Sequence, residues 1–448
     1  MTDLSALHEE LRRLAAIGDI RGFAEIARDM HPSDVSDVLA GLEEEDRIRF
    51  VERLPPEIVS EALAEMEEEE HPEELLAALI PARAADILEE LEDDDAADLV
   101  GELSPEDAAR ILSDVDVEER ADIVRLLRYE EDTAGGRMTS AVVAVREDGT
   151  AAEAIEEIRR QAEEIEDFYQ VYCCDAQGRL VGVLALQRLV IARPSTAVRE
   201  IMEPPPAVAT VDMDQEEVAR LLARYNVPSI PVIDGDRRLI GRVTFDDVID
   251  VVEAEQTEDL LRFGGVGGEE ALGDKWHEAV RRRLPWLYLN LMTALLAAAV
   301  VVFFEDTISQ IVALAAVMPV VAGLGGSAGT QALAVTIRRI ALGMTPAGSG
   351  LRLVARELVV GLVNGFAVGV VVGVVAAVGL GHGWPLGMVV TLAMWGALMV
   401  AATVGAAVPL ALERLGVDPA VASSGFVTAV TDIAGFFLLL GLAAWVLL

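Results

Sequence analysis

Asp432 stands inside the last apolar stretch of the chain, in Val430-Thr431-Asp432-Ile433-Ala434-Gly435. A charged side chain at mid-bilayer costs at least about 2.5–3.5 kcal/mol, so such a residue faces an aqueous path or a partner. The chemistry open to it there is the holding of a cation. The competing reading is a carboxyl that is protonated, or bonded internally to Thr428 or Thr431. A second acidic group, Glu92-Asp93-Asp94-Asp95-Ala96-Ala97-Asp98, lies between leucines. It is equally a cation-binding face or a solvated helix start, because acids favour a helix N-terminus. A third group comprises Asp246, Asp247, Asp250, Glu253, Glu255, Glu258 and Asp259, several of them at i, i+3 or i+4 spacing. Like charges at that spacing destabilise a helix unless cations neutralise them. The segment is therefore expected to be a helical connector whose order depends on cations, which suits a gate.

The elements that position these acids fall into two chemically different halves. Residues 276–448 contain eight arginines and seven acidic residues, so essentially all of the net charge of −41 belongs to residues 1–275. Such a soluble part repels nucleic acid and anionic lipid and attracts cations; general solubility, or adaptation to a salty cytoplasm, is the alternative explanation. Lys275 is the sole lysine, a matter of composition rather than mechanism. Cys173 and Cys174 are adjacent in a strand-like run, so their side chains point to opposite faces, and a buried reduced pair is expected. Met1 to Glu10 is polar and acidic, unlike a signal peptide, which places the N-terminal part in the cytosol.

Five apolar stretches, about 284–304, 308–335, 354–380, 386–412 and 423–447, are each long enough to cross a bilayer. Arg281, Arg282 and Arg283 precede the first, Arg338, Arg339, Arg352 and Arg356 flank the loop after the second, and Arg414 follows the fourth. By the positive-inside rule the N-terminus is cytoplasmic and the C-terminus extracytoplasmic, in a multi-pass protein of the cell membrane. Pro319 and the run Gly323-Leu324-Gly325-Gly326-Ser327-Ala328-Gly329-Thr330-Gln331 predict a second span that bends or breaks, exposing carbonyls to a pore, with tight helix packing as the alternative. Asn364-Gly365 adds a buried amide to the third span. A single chain offers few ligands, so a homodimer that brings two Asp432 carboxylates to a shared axis is expected. Two facing carboxylates repel without a divalent ion between them, and Mg²⁺ suits the place because it keeps several waters and needs only one or two carboxylates.

In the soluble half, residues 1–130 predict tandem short amphipathic helices. Pro105-Glu106-Asp107-Ala108-Ala109-Arg110-Ile111-Leu112 echoes Pro56-Glu57-Ile58-Val59-Ser60-Glu61-Ala62-Leu63, with Leu91, Leu99, Leu103, Ile111 and Leu112 lining the inner seam. Residues 138–258 hold an internal repeat, opened by Met138-Thr139 and Met202-Glu203. Its matched hairpins are Asp175-Ala176-Gln177-Gly178-Arg179-Leu180-Val181-Gly182-Val183 and Asp234-Gly235-Asp236-Arg237-Arg238-Leu239-Ile240-Gly241-Arg242-Val243. The repeat resembles a pair of CBS domains, a β-α-β-β-α regulatory module that often senses adenosine nucleotides through an Asp after its last strand. Thr244-Phe245-Asp246-Asp247 retains that Asp, and Leu186-Gln187-Arg188 does not. A helical connector follows, then a glycine-rich break at Gly264 to Gly268.

The order of these parts resembles the MgtE magnesium transporter family over essentially the whole chain. The resemblance rests on Arg128-Tyr129-Glu130-Glu131-Asp132-Thr133-Ala134-Gly135-Gly136-Arg137-Met138-Thr139, on Asp214-Gln215-Glu216-Glu217, on Gly325 to Gln331 and on Asp432. It implies a multidomain fold: an all-α N-terminal superhelix (1–130), an α/β tandem CBS pair (131–250), a connector or plug helix with linker (251–275), and a five-helix α transmembrane domain (276–448). It also implies a dimeric Mg²⁺ channel, not an enzyme, closed by cytosolic Mg²⁺. The pore ion would sit near Asp432. Regulatory ions would lie where Glu61, Asp94, Asp95 and Asp98 face Asp214, Glu216 and Asp247, with Gly136 offering a carbonyl, while Glu255, Glu258 and Asp259 belong to the plug. Ser327 stands where the family usually has Asn, and Ser424-Gly425 where it usually has Asn-Pro.

Other classes fit less well. A membrane metalloprotease needs zinc ligands such as a His-Glu-x-x-His pair, and the membrane half has only His277 and His382. An anion channel needs cationic sites at mid-membrane, whereas the lone buried charge expected here is negative. Transport of other divalent cations such as Co²⁺ or Mn²⁺, or coupled exchange, remains the alternative.

Overall fold

The computed structural model describes residues 4–66, 70–162, 165, 168–266, 276–342, 344, 350–419 and 424–448. Lys275 and the Gly267-Gly268 end of the glycine-rich break lie outside the described residues. The chain divides into two compact units, 1–253 and 254–448.

The first unit opens with short helices, α1 (Leu4–Ile17) to α10 (Val117–Leu126). Proline sets their rhythm: Pro32, Pro56, Pro72, Pro81 and Pro105 each occupy the first position of a helix. There the fixed φ suits the helix and the missing N–H would have no intrahelical partner anyway. Ser104 caps the last of these by accepting from the Asp107 N–H at 3.1 Å. Helix C-termini leave carbonyls without partners, and arginines from later helices supply them. Arg47 donates to the Ala40 carbonyl at 2.6 Å, Arg83 to that of Val51 at 3.2 Å, and Arg110 to that of Ala77 at 3.1 Å. The seam matches the periodicity, with Leu99, Leu103 and Ile111 buried and Leu91 and Leu112 partly so.

The repeat follows as two three-stranded sheets. β1 (Ala144–Arg146) runs parallel to β2 (Gln170–Cys174), which is antiparallel to β3 (Leu180–Ala185); β4 (Ala209–Thr210), β5 (Ser229–Ile233) and β6 (Leu239–Thr244) repeat that order. Each repeat's opening residues are exchanged. A Cβ on Gly241 would meet Met138 Sδ at 2.7 Å, and one on Gly182 would meet Met202 Sδ at 3.0 Å. The start of each half thus packs on the last strand of the other, and only glycine leaves room for it. The hairpins also bond to each other, Leu180 N–H to the Arg237 carbonyl at 3.0 Å and Leu239 N–H to that of Gly178 at 3.1 Å. Cys173 and Cys174 are free thiols, but only Cys173 is fully buried; a register shift between them leaves Cys174 half-exposed. Burial pushes the two thiols up to about 12 and about 11.

After β6 a continuous helix, α15 (Phe245–Phe263), crosses from the first unit into the second. The second unit contains five helices long and apolar enough to span a membrane: α16 (Trp276–Phe303), α18 (Ala313–Ala341), α19 (Gly350–Gly379), α20 (Gly383–Arg414) and α21 (Ser424–Val446). A short helix, α17 (Glu305–Gln310), separates the first two, so the second span starts later than its hydropathy suggests. α18, α20 and α21 pack three ways, α19 lies against α20, and α16 meets α21.

The break expected in the second span, and the burial expected for Asn364, are not found in the single chain. α18 does not break at Pro319 or at its glycines but runs unbroken from Ala313 to Ala341. The missing side chains are replaced by neighbours, since a Cβ on Gly329 would meet Val427 at 2.7 Å and one on Gly326 would meet Thr428 at 3.2 Å. Packing supplies what glycine's poor helix propensity lacks. Asn364 is exposed rather than buried, and Gly365 is the residue turned toward α20.

Candidate functional site

Asp432 is the ninth residue of α21, about 12 Å along it at 1.5 Å per residue. It lines an open cleft of about 600 Å³ between α18 and α21, together with Ala322, Gly323, Gly326, Ser327, Thr330 and Thr428. The glycines pull α18 close to α21 at one level and leave space for hydroxyls at another. Ser327 turns its hydroxyl back to the Gly323 carbonyl at 2.8 Å, and Thr431 does the same to the Thr428 carbonyl at 2.8 Å. Thr431 is therefore engaged with the backbone and does not tie up Asp432. Among the described residues, Asp432 Oδ1 is buried without a hydrogen-bond partner. That oxygen has lost water and gained no donor, a state a cation in the cleft relieves.

Asp432 is not the lone buried acid of this unit. Glu357 is 7 % exposed and shares the buried stripe of α19 with Gly361, Gly365, Gly369 and Gly373. In the sequence it follows Arg352 and Arg356 and passes for a flanking charge.

The acids of the first unit separate into two kinds. At the start of α8 (Asp93–Glu102), Asp93 accepts from Thr139 Oγ1 at 2.8 Å and from the N–H and hydroxyl of Ser140. Asp98 pairs with Arg137 at 3.0 Å, and Arg137 also donates to Gln215 at 3.1 Å. Both are anchored by residues 137–140, at the opening of the repeat. Asp94 is instead buried and its Oδ1 has no hydrogen-bond partner among the described residues. Burial, then the nearby Asp247 and Asp95, hold its carboxyl far above the ordinary range. Burial and Asp247 push Asp95 up to about 8. Asp247, at the start of α15, is raised by burial and by Asp246 even though it accepts from the Thr244 hydroxyl. Carboxylates from α8 and α15 thus raise one another, with the buried Arg242 acting on Glu92 at the same face.

The remaining predicted ligands are distributed more widely. Asp214 is exposed and caps α14 (Gln215–Tyr225), accepting from Glu216 N–H at 2.9 Å and Glu217 N–H at 3.3 Å. Glu216 pairs with Arg220 at 3.1 Å. Gly136 is buried in a turn so tight that a Cβ would lie 2.4 Å from the Glu130 carbonyl oxygen. That turn docks beside Asp214, with Ala134 N–H on the Met213 carbonyl at 2.6 Å and Gln215 N–H on that of Asp132 at 2.8 Å. Glu61 is exposed on α5 (Pro56–Ala64). Glu65, one turn later, is the acid that raises Asp250 after the effect of burial. In the second unit, Arg262 pairs with both Glu258 and Asp418, while Asp259 is raised first by burial and then by Asp418 and Glu255. Phe263 seats the end of α15 against a cluster of Leu333, Ile337 and Val427. Among the described residues no three His, Cys, Asp or Glu side chains converge tightly enough to hold one metal ion. Of the predicted ligands, only Asp94 and Asp95 are brought near Asp247. Asp93, Asp246, Asp250, Glu65 and Asp418 join these surfaces without having been singled out as ligands, because their neighbours come from distant parts of the chain.

Five long apolar helices with a carboxylate-lined cleft, joined by a helix to a CBS pair and an acidic helical stack, define a regulated membrane cation transporter. Residues 318–442 match the profile of a divalent cation transporter family, 30–132 that of the MgtE intracellular N domain, and 134–194 and 198–254 that of CBS domains. The chain is 37 % identical over 435 residues to the magnesium transporter MgtE of Thermus thermophilus, covering 95 % of each. It is 32 % identical over 426 residues to that of Bacillus subtilis, covering 95 % of this chain and 94 % of the relative. Among solved structures it is similar to the cytosolic domain of the Mg²⁺ channel MgtE in complex with ATP, with 40 % identity and a TM-score of 0.51 over 55 % of this chain and 99 % of that one. A second is the soluble part of a magnesium transporter, with 31 % identity and a TM-score of 0.52 over 56 % and 99 %. The chain belongs to the MgtE family of magnesium transporters.

Proposed function

We propose that the chain forms a homodimeric, Mg²⁺-selective channel in which hydrated Mg²⁺ passes the cleft at Asp432 and cytosolic Mg²⁺ closes the path. One observation carries both halves: Asp432 and Asp94 each hold a buried carboxylate oxygen without a hydrogen-bond partner among the described residues. At Asp432 the ion is cargo. Mg²⁺ gives up its waters reluctantly, so hydroxyls and a single carboxylate per subunit suit a hydrated ion that must also leave. The dimer brings two such carboxylates to one axis.

At the α8–α15 face the ion is a regulator. Asp94, Asp95 and Asp247, supported by Asp98, Asp214, Glu216, Glu61 and the Gly136 carbonyl, repel one another until Mg²⁺ bridges them. Ion binding shifts a population only by its differential affinity for the two states, and several weak sites together make the response steep. The shift passes along α15, whose Glu255, Glu258 and Asp259 belong to the same cation-sensitive connector. The N-terminus lies in the cytoplasm, following the arginine distribution. An adenine nucleotide would bind beside Thr244 to Asp247, by analogy with the ATP complex of the similar cytosolic domain.

Flux of Mg²⁺ into vesicles containing the full chain tests the pore. Asp432→Ala is expected to abolish uptake while the protein remains monodisperse, and undiminished uptake would remove the cleft from the path. Comparing Mg²⁺ with Co²⁺, Mn²⁺ and Ca²⁺ in the same assay separates a Mg²⁺ channel from a general divalent transporter.

A further inference from the structure

α16 meets the rest of its unit along one narrow stripe, in which Asn290 is half-buried and Ala297 is buried. The stripe faces α21. A Cβ placed on Gly425 would meet Asn290 Oδ1 at 2.5 Å, Nδ2 at 2.9 Å and Cγ at 3.0 Å. The flat carboxamide therefore fills the space that a side chain at 425 would take. The neighbouring Thr293 hydroxyl is committed to the Asn290 main-chain carbonyl at 2.9 Å, and among the described residues nothing hydrogen-bonds the carboxamide. An amide left unpaired in an apolar span is costly, so packing alone is a poor reason for an Asn here.

Helix register supplies a better one. Gly425 and Asp432 are seven residues apart on α21, which brings them within about 20° of the same direction and about 10 Å of each other along the axis. Thr428 lies between them, and Thr428 and Asp432 both line the cleft. We propose that Asn290 is a second polar station on the ion path, lying toward the N-terminal end of α21 from Asp432 and presenting a carboxamide oxygen to the water shell of a divalent cation. The oxygens then form a graded row of amide, hydroxyl and carboxylate. An uncharged acceptor orients the hydrated ion without holding it, as conduction through successive sites requires. This rests on the reading of the Asp432 cleft as the path.

Mg²⁺ flux by the full chain in proteoliposomes tests it, with Asp432→Ala, Asn290→Leu and Gly425→Ala measured together. Asn290→Leu should lower flux roughly tenfold, the scale of losing one polar contact to a charged group, and Asn290→Asp should restore flux with an altered Mg²⁺ to Ca²⁺ ratio. Gly425→Ala retains the amide but displaces it. It should lower flux in the native chain and add nothing in an Asn290→Ala background, so a failure of Asn290→Leu to fold leaves the test intact. If Asp432→Ala conducts normally, the cleft is not the path and the proposed function falls. If Asp432→Ala is silent while Asn290→Leu and Gly425→Ala conduct at the native rate and selectivity, only the role of Asn290 falls.

Discussion

Asp93 and Asp94 are adjacent, yet the first is satisfied by Thr139 and Ser140 while the second keeps a buried oxygen without a hydrogen-bond partner. The difference comes from helix geometry. Successive positions on a helix point about 100° apart, so one aspartate reaches the opening residues of the repeat and its neighbour turns into the α8–α15 face. Removing the negative charge of Asp94 should therefore have opposite effects on stability and on sensing. Asp94→Asn is expected to raise the metal-free melting temperature by a few degrees, because like-charge repulsion from Asp247 and Asp95 is relieved. It should also move closure to higher Mg²⁺. Calorimetry of the full chain with and without Mg²⁺, alongside flux at graded internal Mg²⁺, measures both, and unchanged closure would separate Asp94 from the gate.

At the scale of elements, α19 shows how sequence becomes packing. Gly361, Gly365, Gly369 and Gly373 recur every fourth residue, and a Cβ on each would strike α20: 2.8 Å to the Leu398 carbonyl oxygen, 3.0 Å to that of Trp395, 2.8 Å to that of Thr391, and 2.5 Å to that of Gly387. In a membrane, where apolar side chains gain nothing from avoiding lipid, close backbone approach is the main source of helix association. Gly369→Leu should destabilise the α19–α20 pair by about 1–3 kcal/mol through overpacking, seen as a lower detergent melting temperature. A substitution at the exposed Val371 should leave it unchanged. α15 is the complementary case, a helix rich in acids that nevertheless runs unbroken, with Arg262 set against Glu258 at i+4 and with Asp418.

The whole molecule couples an acid-laden soluble unit to a nearly neutral membrane unit, and pH should reach the first. Asp94, Asp95, Asp247 and Glu92 are all raised by burial, so the folded unit binds protons more tightly than an unfolded chain, whose aspartates titrate near about 3.9. The contribution of these groups to stability is then greatest below that value and is lost as pH rises toward the folded value, about 8 for Asp95. Without divalent ions, hydrogen-exchange protection factors at residues 92–98 and 244–250, corrected for the intrinsic rise of exchange with pH, should fall as pH rises across this window. Saturating Mg²⁺ should raise them and flatten the pH dependence; equal protection with and without Mg²⁺ would remove the regulatory face.

Apolar run length, helix-start prolines and the doubled hairpin were enough to lay out the helical stack, the CBS pair, the connector and five spans, because each depends on local periodicity and chain stiffness. Asp432 was legible for the same reason, as a charge in an apolar stretch. Tertiary structure alone decided the rest. It kept α18 unbroken despite five helix-weakening residues, exposed Asn364, buried Glu357, and placed Asn290 over Gly425. It also divided the acids of 92–98 between structural anchors and carboxyls raised by burial beside Asp247. Those outcomes depend on which atoms from distant segments fill the space beside a residue, and sequence spacing along one chain does not encode that distance.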